Sequence, residues 1–254
     1  MVLKCLNCSL VFVSPLLKNE ELTEHYEEHY YAEWIGSQRD KRVYMWSNRL
    51  ERISRFRSGG KLLDVGCGEG LFLQIAQKHG WCVFGTEISR FAADYTSRQL
   101  GSDIYCGALT DGVFKGRDFD VVTVWHVLEH VKDPLNYLVT IRKIIKPDGI
   151  LVIAVPNVNN LLMQLVYRLY KRRKLKLFSC DAKEVHLYHF SVDTLTAYLE
   201  KTGFKVVRAA PDFGTISVPQ QIMNTLTAFL YYVAGVKIFN AMEIIAIPTK
   251  QDTD

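Results

Sequence analysis

A chain of 254 residues, 48% hydrophobic and 23% charged, carries enough apolar material for a full core, which excludes a disordered chain and a disulfide-dependent mini-fold. Its net charge is +4, yet Arg168, Lys171, Arg172, Arg173, Lys174 and Lys176 alone supply six positive charges in one acid-free segment. The rest of the chain carries −2, which argues against a molecule-wide nucleic-acid footprint and leaves one local basic patch to explain.

Residues 1–58 form an N-terminal extension rich in Tyr, Glu, His and Arg, and they read as helical after about Asn19. From Lys61 short apolar runs alternate with amphipathic stretches. Strands are predicted over Lys61–Val65, 83–88, 104–106, 120–125, 150–155, 204–208 and 241–247. Helices fall between them, over 71–79 and 91–100, then from Asp133-Pro134, which supplies an N-cap and a first-turn proline, and from the Ser191 cap to Gly203. The fourth strand is almost continuously β-branched, as a strand covered on both faces requires. This alternation predicts one doubly wound, mostly parallel, seven-stranded α/β domain over 59–254, with a lid insertion at about 158–190.

The first strand runs into Asp64-Val65-Gly66-Cys67-Gly68-Glu69-Gly70. Glycines let the backbone turn sharply and approach a ligand closely. A dinucleotide fingerprint needs glycine at position 71, where Leu71 stands, so a nicotinamide oxidoreductase is disfavoured. Glu69 would repel a pyrophosphate but tolerate a ligand carrying a sulfonium and an ammonium. Glu87, 23 residues after Asp64, ends the second strand where a carboxylate accepts both hydroxyls of a ribose.

Taken together, LLDVGCGEG, GTEIS, DFDVVTVWHVLEHVKDP and IRKIIKPDGILVIAVPN resemble the class I S-adenosylmethionine-dependent methyltransferase family, in the small-molecule branch similar to ubiquinone-pathway O-methyltransferases. The resemblance covers about 61–157 and extends loosely to Arg208. It implies a Rossmann-like fold and S-adenosylmethionine as cofactor. Asp64, Gly66, Cys67 and Gly68 would then lie along the methionine part and Glu87 would hold the ribose. Ile88, Ala108 and Leu109 would pack on the adenine, and Trp125 and His126 would border the methyl group. Many relatives carry an acid just after the third strand. Here Gly107-Ala108-Leu109 stands there, with Asp111 the nearest acid.

Methyl transfer from a sulfonium needs alignment and water exclusion, and a base only if the acceptor must lose a proton early. His126, just past the fourth strand, is the first candidate base, followed by His130, His186 and His189. A structural histidine bonded to backbone is the alternative for each. The acceptor is expected to be a small molecule or a sugar- or lipid-linked precursor; a catalytically silent domain of the same fold is the competing reading. No Asn/Asp-Pro-Pro-Tyr-type motif follows the fourth strand, so no sequence-specific nucleic-acid partner is expected.

Cys5-x-x-Cys8 with His25-x-x-x-His29 imitates a Cys₂His₂ zinc site, but the text CLNCSLVFVSP resembles the tail of a zinc ribbon whose first cysteine pair the chain begins too late to hold. Zinc at Cys5 and Cys8 is one reading and two free thiols the other; no other metal ligand is assigned. Scattered cysteines and the absence of a secretory pattern point to the cytoplasm. Leu161, Leu162, Leu165, Val166, Leu169 and Tyr170 form one helical stripe opposite Gln164, Arg168, Lys171 and Arg172. They read either as a lid covering the acceptor pocket or, with the uncharged stretch 213–236, as peripheral contact with an anionic membrane.

Overall fold

The computed structural model describes residues 1–16, 30–31, 35–172, 177 and 185–250. His25, His29, Arg173, Lys174, Lys176, Cys180 and most of the helix expected after Asn19 lie outside them. The chain opens with β1 (Val2–Lys4) and β2 (Val11–Val13), an antiparallel pair, and the first long helix among the described residues is α1 (Arg39–Ser54).

The alternating part follows as β3 (Lys61–Val65), α2 (Leu71–Lys78), β4 (Cys82–Glu87), α3 (Arg90–Leu100), β5 (Tyr105–Cys106), β6 (Phe119–Trp125), α4 (Pro134–Ile144) and β7 (Ile145–Pro156). After α5 (Leu161–Lys171) come β8 (Tyr188–His189), α6 (Val192–Lys201), β9 (Phe204–Pro211), α7 (Val218–Ala234) and β10 (Ala241–Pro248). Local chemistry sets the helix starts. The Asp133 carboxylate accepts the Asn136 amide at 3.0 Å, and Ser191 and Thr194 form a capping box.

Seven strands make one sheet in the order β5-β4-β3-β6-β7-β10-β9. Pairing is parallel from β5 through β7, while β10 runs antiparallel to both β7 and β9. All seven residues of β6 are buried. Its side chains alternate between two cores: Val122 and Val124 join Leu138, Ile141 and Leu195 on one face, while Val121 and Trp125 join Ile53, Leu71 and Phe72 on the other. The sheet is therefore a three-layer sandwich of the doubly wound kind.

A second sheet of order β1-β2-β8 fastens the N-terminus to the predicted insertion, with Val11 opposite His189. The α5 stripe departs from a lid: Leu161, Leu165, Val166, Leu169 and Tyr170 are exposed rather than turned onto a pocket.

Candidate functional site

Strand order reverses between the parallel neighbours β3 and β6, from which connections run to opposite sides of the sheet; a crevice opens at such a switch point beyond the C-terminal strand ends. Gly66 follows β3 with φ 72°, a conformation that L side chains rarely adopt, and a Cβ there would meet Val127 at 2.5 Å. The Gly68 amide donates to Glu87 Oε2 at 2.9 Å, and the Ser89 amide donates to Glu87 Oε1 at 2.9 Å. These bonds lock the glycine loop to the end of β4. Tyr31, from the N-terminal extension, donates its hydroxyl to Glu87 Oε1 at 3.1 Å. Glu69, the acid inside the loop, pairs with Arg42 of α1.

Asp64 is 2% exposed and accepts Thr123 Oγ1 at 2.7 Å. Burial pushes its carboxyl up to about 7, against the opposing pull of Thr123 and Arg49. Burial raises Glu87 as well, although its backbone donors and Tyr31 counter it. The Cys67 thiol, also buried, is pushed well up by burial and by the neighbouring acids, which leaves it protonated and unreactive. Of the three residues expected around an adenine, Ile88 and Ala108 are exposed and Leu109 is turned into the core. Asp111 pairs with Lys143 at 2.6 Å.

Trp125 does not line the open crevice. Its ring is buried among Trp46, Phe72 and the Arg49 guanidinium, 4.4 Å from that cation. His126 does reach it, on a left-handed backbone (φ 55°) that costs an L residue about 1–2 kcal/mol. Its ring sits between two carboxylates, with Nδ1 3.6 Å from Glu129 Oε1 and Nε2 3.6 Å from Asp212 Oδ2. Desolvation opposes the charged form, but Asp212 and Glu129 outweigh it and raise the imidazole to about 9. This favours the charged imidazole at neutral pH, so His126 would have to give up a proton before it acts as a base.

Asp212 is held by Arg49 at 2.5 Å, and both are almost fully buried. Nearby, Glu243 binds Arg52 at 2.6 Å and Arg208 at 2.8 Å, so α1 is fastened to β9 and β10 through charge. A cleft of about 890 Å³ opens between α1 and the segment leading into α7, lined by Tyr44, Met45, Asn48, Arg49, Phe213 and Ile216. Arg49 connects this cleft to Asp212 and so to His126.

The other candidate histidines gather beside this group. His130 and His186 rings lie 4.8 Å apart, and His186 and His189 lie 6.1 Å apart. Burial, with the neighbouring His186, lowers His189 to about 4, so it is neutral at pH 7. Arg49, Asp212, Glu129 and Tyr31 were not singled out from the sequence. Glu129 was the one with a local signal, being three residues from His126 and beside His130.

A family model described as a methyltransferase domain matches residues 36–209, more than half of the chain. The chain is 31% identical over 135 residues to a mitochondrial ubiquinone biosynthesis O-methyltransferase of Schizosaccharomyces pombe, a match covering 48% of this chain and 49% of the relative. It is 33% identical over 106 residues to a Coxiella burnetii ubiquinone biosynthesis O-methyltransferase, covering 40% and 45%. It thus spans about half the length of these curated relatives. Among solved structures, an S-adenosylmethionine-dependent methyltransferase from Clostridium acetobutylicum aligns with TM-score 0.57 at 12% identity, covering 87% of this chain and 97% of that one. The [4+2]-cyclase SpnF aligns with TM-score 0.56 at 18% identity, covering 81% and 82%, so this likeness speaks for the fold alone. With the strand order, the glycine loop and the family match in agreement, the chain belongs to the class I S-adenosylmethionine-dependent methyltransferase family.

Proposed function

We propose that this chain transfers a methyl group from S-adenosylmethionine to a small molecule, free or linked to a sugar or lipid. The observation that carries the reading is the placement of two buried acids, Asp64 and Glu87, on either side of the glycine loop at the switch point. The residues fit the cofactor's chemistry. Both carboxyls are raised by burial, so a cationic ligand relieves them. A carboxylate offers about four acceptor positions. Backbone amides take two on Glu87, which leaves two for a pair of ribose hydroxyls, one of them now held by Tyr31.

The cofactor supplies a methyl group on a sulfonium, so that the bond to the acceptor forms as the carbon–sulfur bond breaks. Asp64 answers the positive charge of the methionine part, and Ile88 and Ala108 flank the adenine. His126, charged between Asp212 and Glu129, keeps both ring nitrogens facing those carboxylates and offers the acceptor its positive charge rather than a base. Proton removal falls to His189, which is neutral at pH 7. The cleft between α1 and α7 is the acceptor's approach.

A lipid-linked acceptor is favoured by the outer surface. Exposed Leu161, Leu165 and Leu169 of α5 lie beside α7, which exposes Ile222, Leu226, Phe229 and Val233. The basic segment continues from α5, and no helix among the described residues is long and apolar enough to cross a membrane. An anionic membrane surface matches that combination.

Calorimetric titration with S-adenosylmethionine tests the core of this reading. Saturable binding that is lost in a folded Glu87→Ala chain is expected, and its absence from the native chain overturns it. Release of S-adenosylhomocysteine on adding small-molecule extracts distinguishes an enzyme from a silent domain.

A further inference from the structure

The cleft between α1 and the segment leading into α7 is electropositive on both walls. On α1, Lys41, Tyr44, Asn48, Arg52 and Arg55 follow each other three or four residues apart, so one helix face presents them to the cleft. Its volume, about 890 Å³, is that of a small-molecule site, for which about 300–1,000 Å³ is usual.

The charges do not cancel. Behind the cleft two buried acids, Asp212 and Glu243, are shared among Arg49, Arg52 and Arg208, three guanidiniums for two carboxylates. The His126 imidazole and Glu129 answer each other and leave that surplus standing. At the rim, Glu51 pairs with Arg55 at 2.9 Å, and Asp40 balances Lys41 in number, although Lys41 donates to the neutral Gln38 Oε1 at 3.2 Å. The Arg52 side chain is 23% exposed, so its guanidinium is within reach of a ligand. Arg49 lines the cleft as well, and its buried Nε has no hydrogen-bond partner among the described residues.

The other wall adds an independent contribution. α7 starts at Ser217 without a side-chain cap and without an acid in its first turn, so the positive end of a 17-residue helix is left unanswered. Thr215, Ile216 and Gln221 bring that end to the cleft. Guanidiniums facing free helix amides form a site for an anion. Donors converging from two walls suit the several oxygens of a phosphate better than a planar carboxylate. The exposed rings of Tyr44 and Phe213 offer apolar surface to whatever the anion is attached to.

We propose that this cleft binds the phosphate or diphosphate ester on which the acceptor is carried, between Arg52 and Arg55 of α1 and the start of α7. That the anion belongs to the acceptor rests on the methyl-transfer reading above, whereas anion binding does not.

The test titrates the full-length chain calorimetrically with inorganic pyrophosphate, uridine diphosphate, farnesyl diphosphate and benzoate. One equivalent of pyrophosphate is expected to bind, more weakly as salt is raised. Its affinity is expected to fall at least about tenfold in Arg52→Gln and in Lys41→Glu/Arg55→Glu, and to stay unchanged in Arg168→Gln/Lys171→Gln, which thins the basic surface of α5. Lys41 and Arg55 are exposed, so their variant keeps the fold and carries the test if Arg52→Gln does not. No saturable binding of any diphosphate overturns the proposal, as does an equal loss in the α5 variant or benzoate binding as tightly as pyrophosphate. A gain over pyrophosphate for uridine diphosphate assigns a nucleoside as the carrier, and a gain for farnesyl diphosphate assigns a prenyl chain; either supports the site. S-adenosylmethionine is titrated into the same samples. Cofactor binding without diphosphate binding counts against this site alone, and the reverse counts against the methyl-transfer reading alone.

Discussion

The hydroxyl of Tyr31 donates to Glu87 Oε1 at 3.1 Å, joining the N-terminal extension to the end of β4 across 56 residues of chain. Tyr31 is 7% exposed and stands over Gly68, whose added Cβ would lie 3.5 Å from its ring. The phenol thus occupies an acceptor position that a ribose hydroxyl needs. Tyr31→Phe is expected to strengthen S-adenosylmethionine binding several-fold, because the competing donor is gone while Glu87 remains. Glu87→Ala is expected to weaken it by about 1.5–3 kcal/mol, the range for hydrogen bonds to a charged group. Titration calorimetry on both variants checks the pair, and weaker binding in Tyr31→Phe would assign the phenol to the bound state instead.

Asp64 sets a pH dependence of a different kind. Its folded pKa, about 7, lies above its ordinary 3.8, so the folded chain holds a proton that the unfolded chain gives up between those values. Stability without ligand therefore declines as pH rises through that window. A cationic cofactor prefers the ionised carboxylate, so its affinity weakens as pH falls below about 7 and levels off above it. Binding near pH 6.5 releases a proton, visible as a heat that varies with the buffer's ionisation enthalpy. Asp64→Asn abolishes both the slope and the proton release.

The triplet Arg49, Asp212 and His126 joins a fully buried pair to a partly exposed imidazole, and each member contributes to stability in proportion to its burial. Removing one member of the buried Arg49–Asp212 pair leaves an unanswered charge, and Arg49→Met is expected to cost about 3–5 kcal/mol in urea denaturation. His126 acts on pH. Its pKa is raised from 6.5 to about 9, so its stabilisation is whole below about 6.5 and is lost as pH rises through about 9. The imidazole is 36% exposed and partly screened, so the loss is on the order of 1 kcal/mol. His126→Gln flattens the stability profile between pH 7 and about 9.5; an unchanged slope would free His126 of the charge assigned to it.

The central sheet was legible because its signals are local. β6 reads as a doubly covered strand from β-branching alone, and Asp133 and Ser191 announce their helices through capping chemistry. The small sheet was not legible, since β8 is two residues long and shows no period. Neither was the reversal of β10, which depends on how α7 returns the chain. Arg49 carries no sequence signal of its own; its partner Asp212 is 163 residues away, and nothing in the intervening sequence marks the pairing. The glycine loop and Glu87 stood out because their spacing points to a chemistry, and the fold brings the two together through the Gly68 amide, whereas the charges around His126 meet only through the fold.

The outer face of α5 and α7 supplies the last prediction. Leu161, Leu165 and Leu169 recur every four residues and are 58%, 53% and 70% exposed. On α7, Ile222, Leu226, Phe229 and Val233 follow each other three or four residues apart, along one helix face, and are 67%, 52%, 61% and 69% exposed. Contiguous apolar surface of this kind, bordered by a basic segment, marks an interaction site rather than ordinary surface scatter. Each basic residue near an anionic bilayer contributes about 1 kcal/mol, and the effect is screened by salt. Sedimentation with vesicles containing phosphatidylglycerol is therefore expected to pull the chain down at low ionic strength, more weakly at physiological salt, and not with neutral vesicles. Leu165→Glu/Phe229→Glu is expected to abolish pelleting without affecting cofactor binding, because both side chains are exposed and α7 packs on α5 and β9 rather than on the glycine loop. Pelleting that is equal on neutral and anionic vesicles would remove the charge from the account, and no pelleting at either salt concentration would refute the membrane reading while leaving methyl transfer untouched.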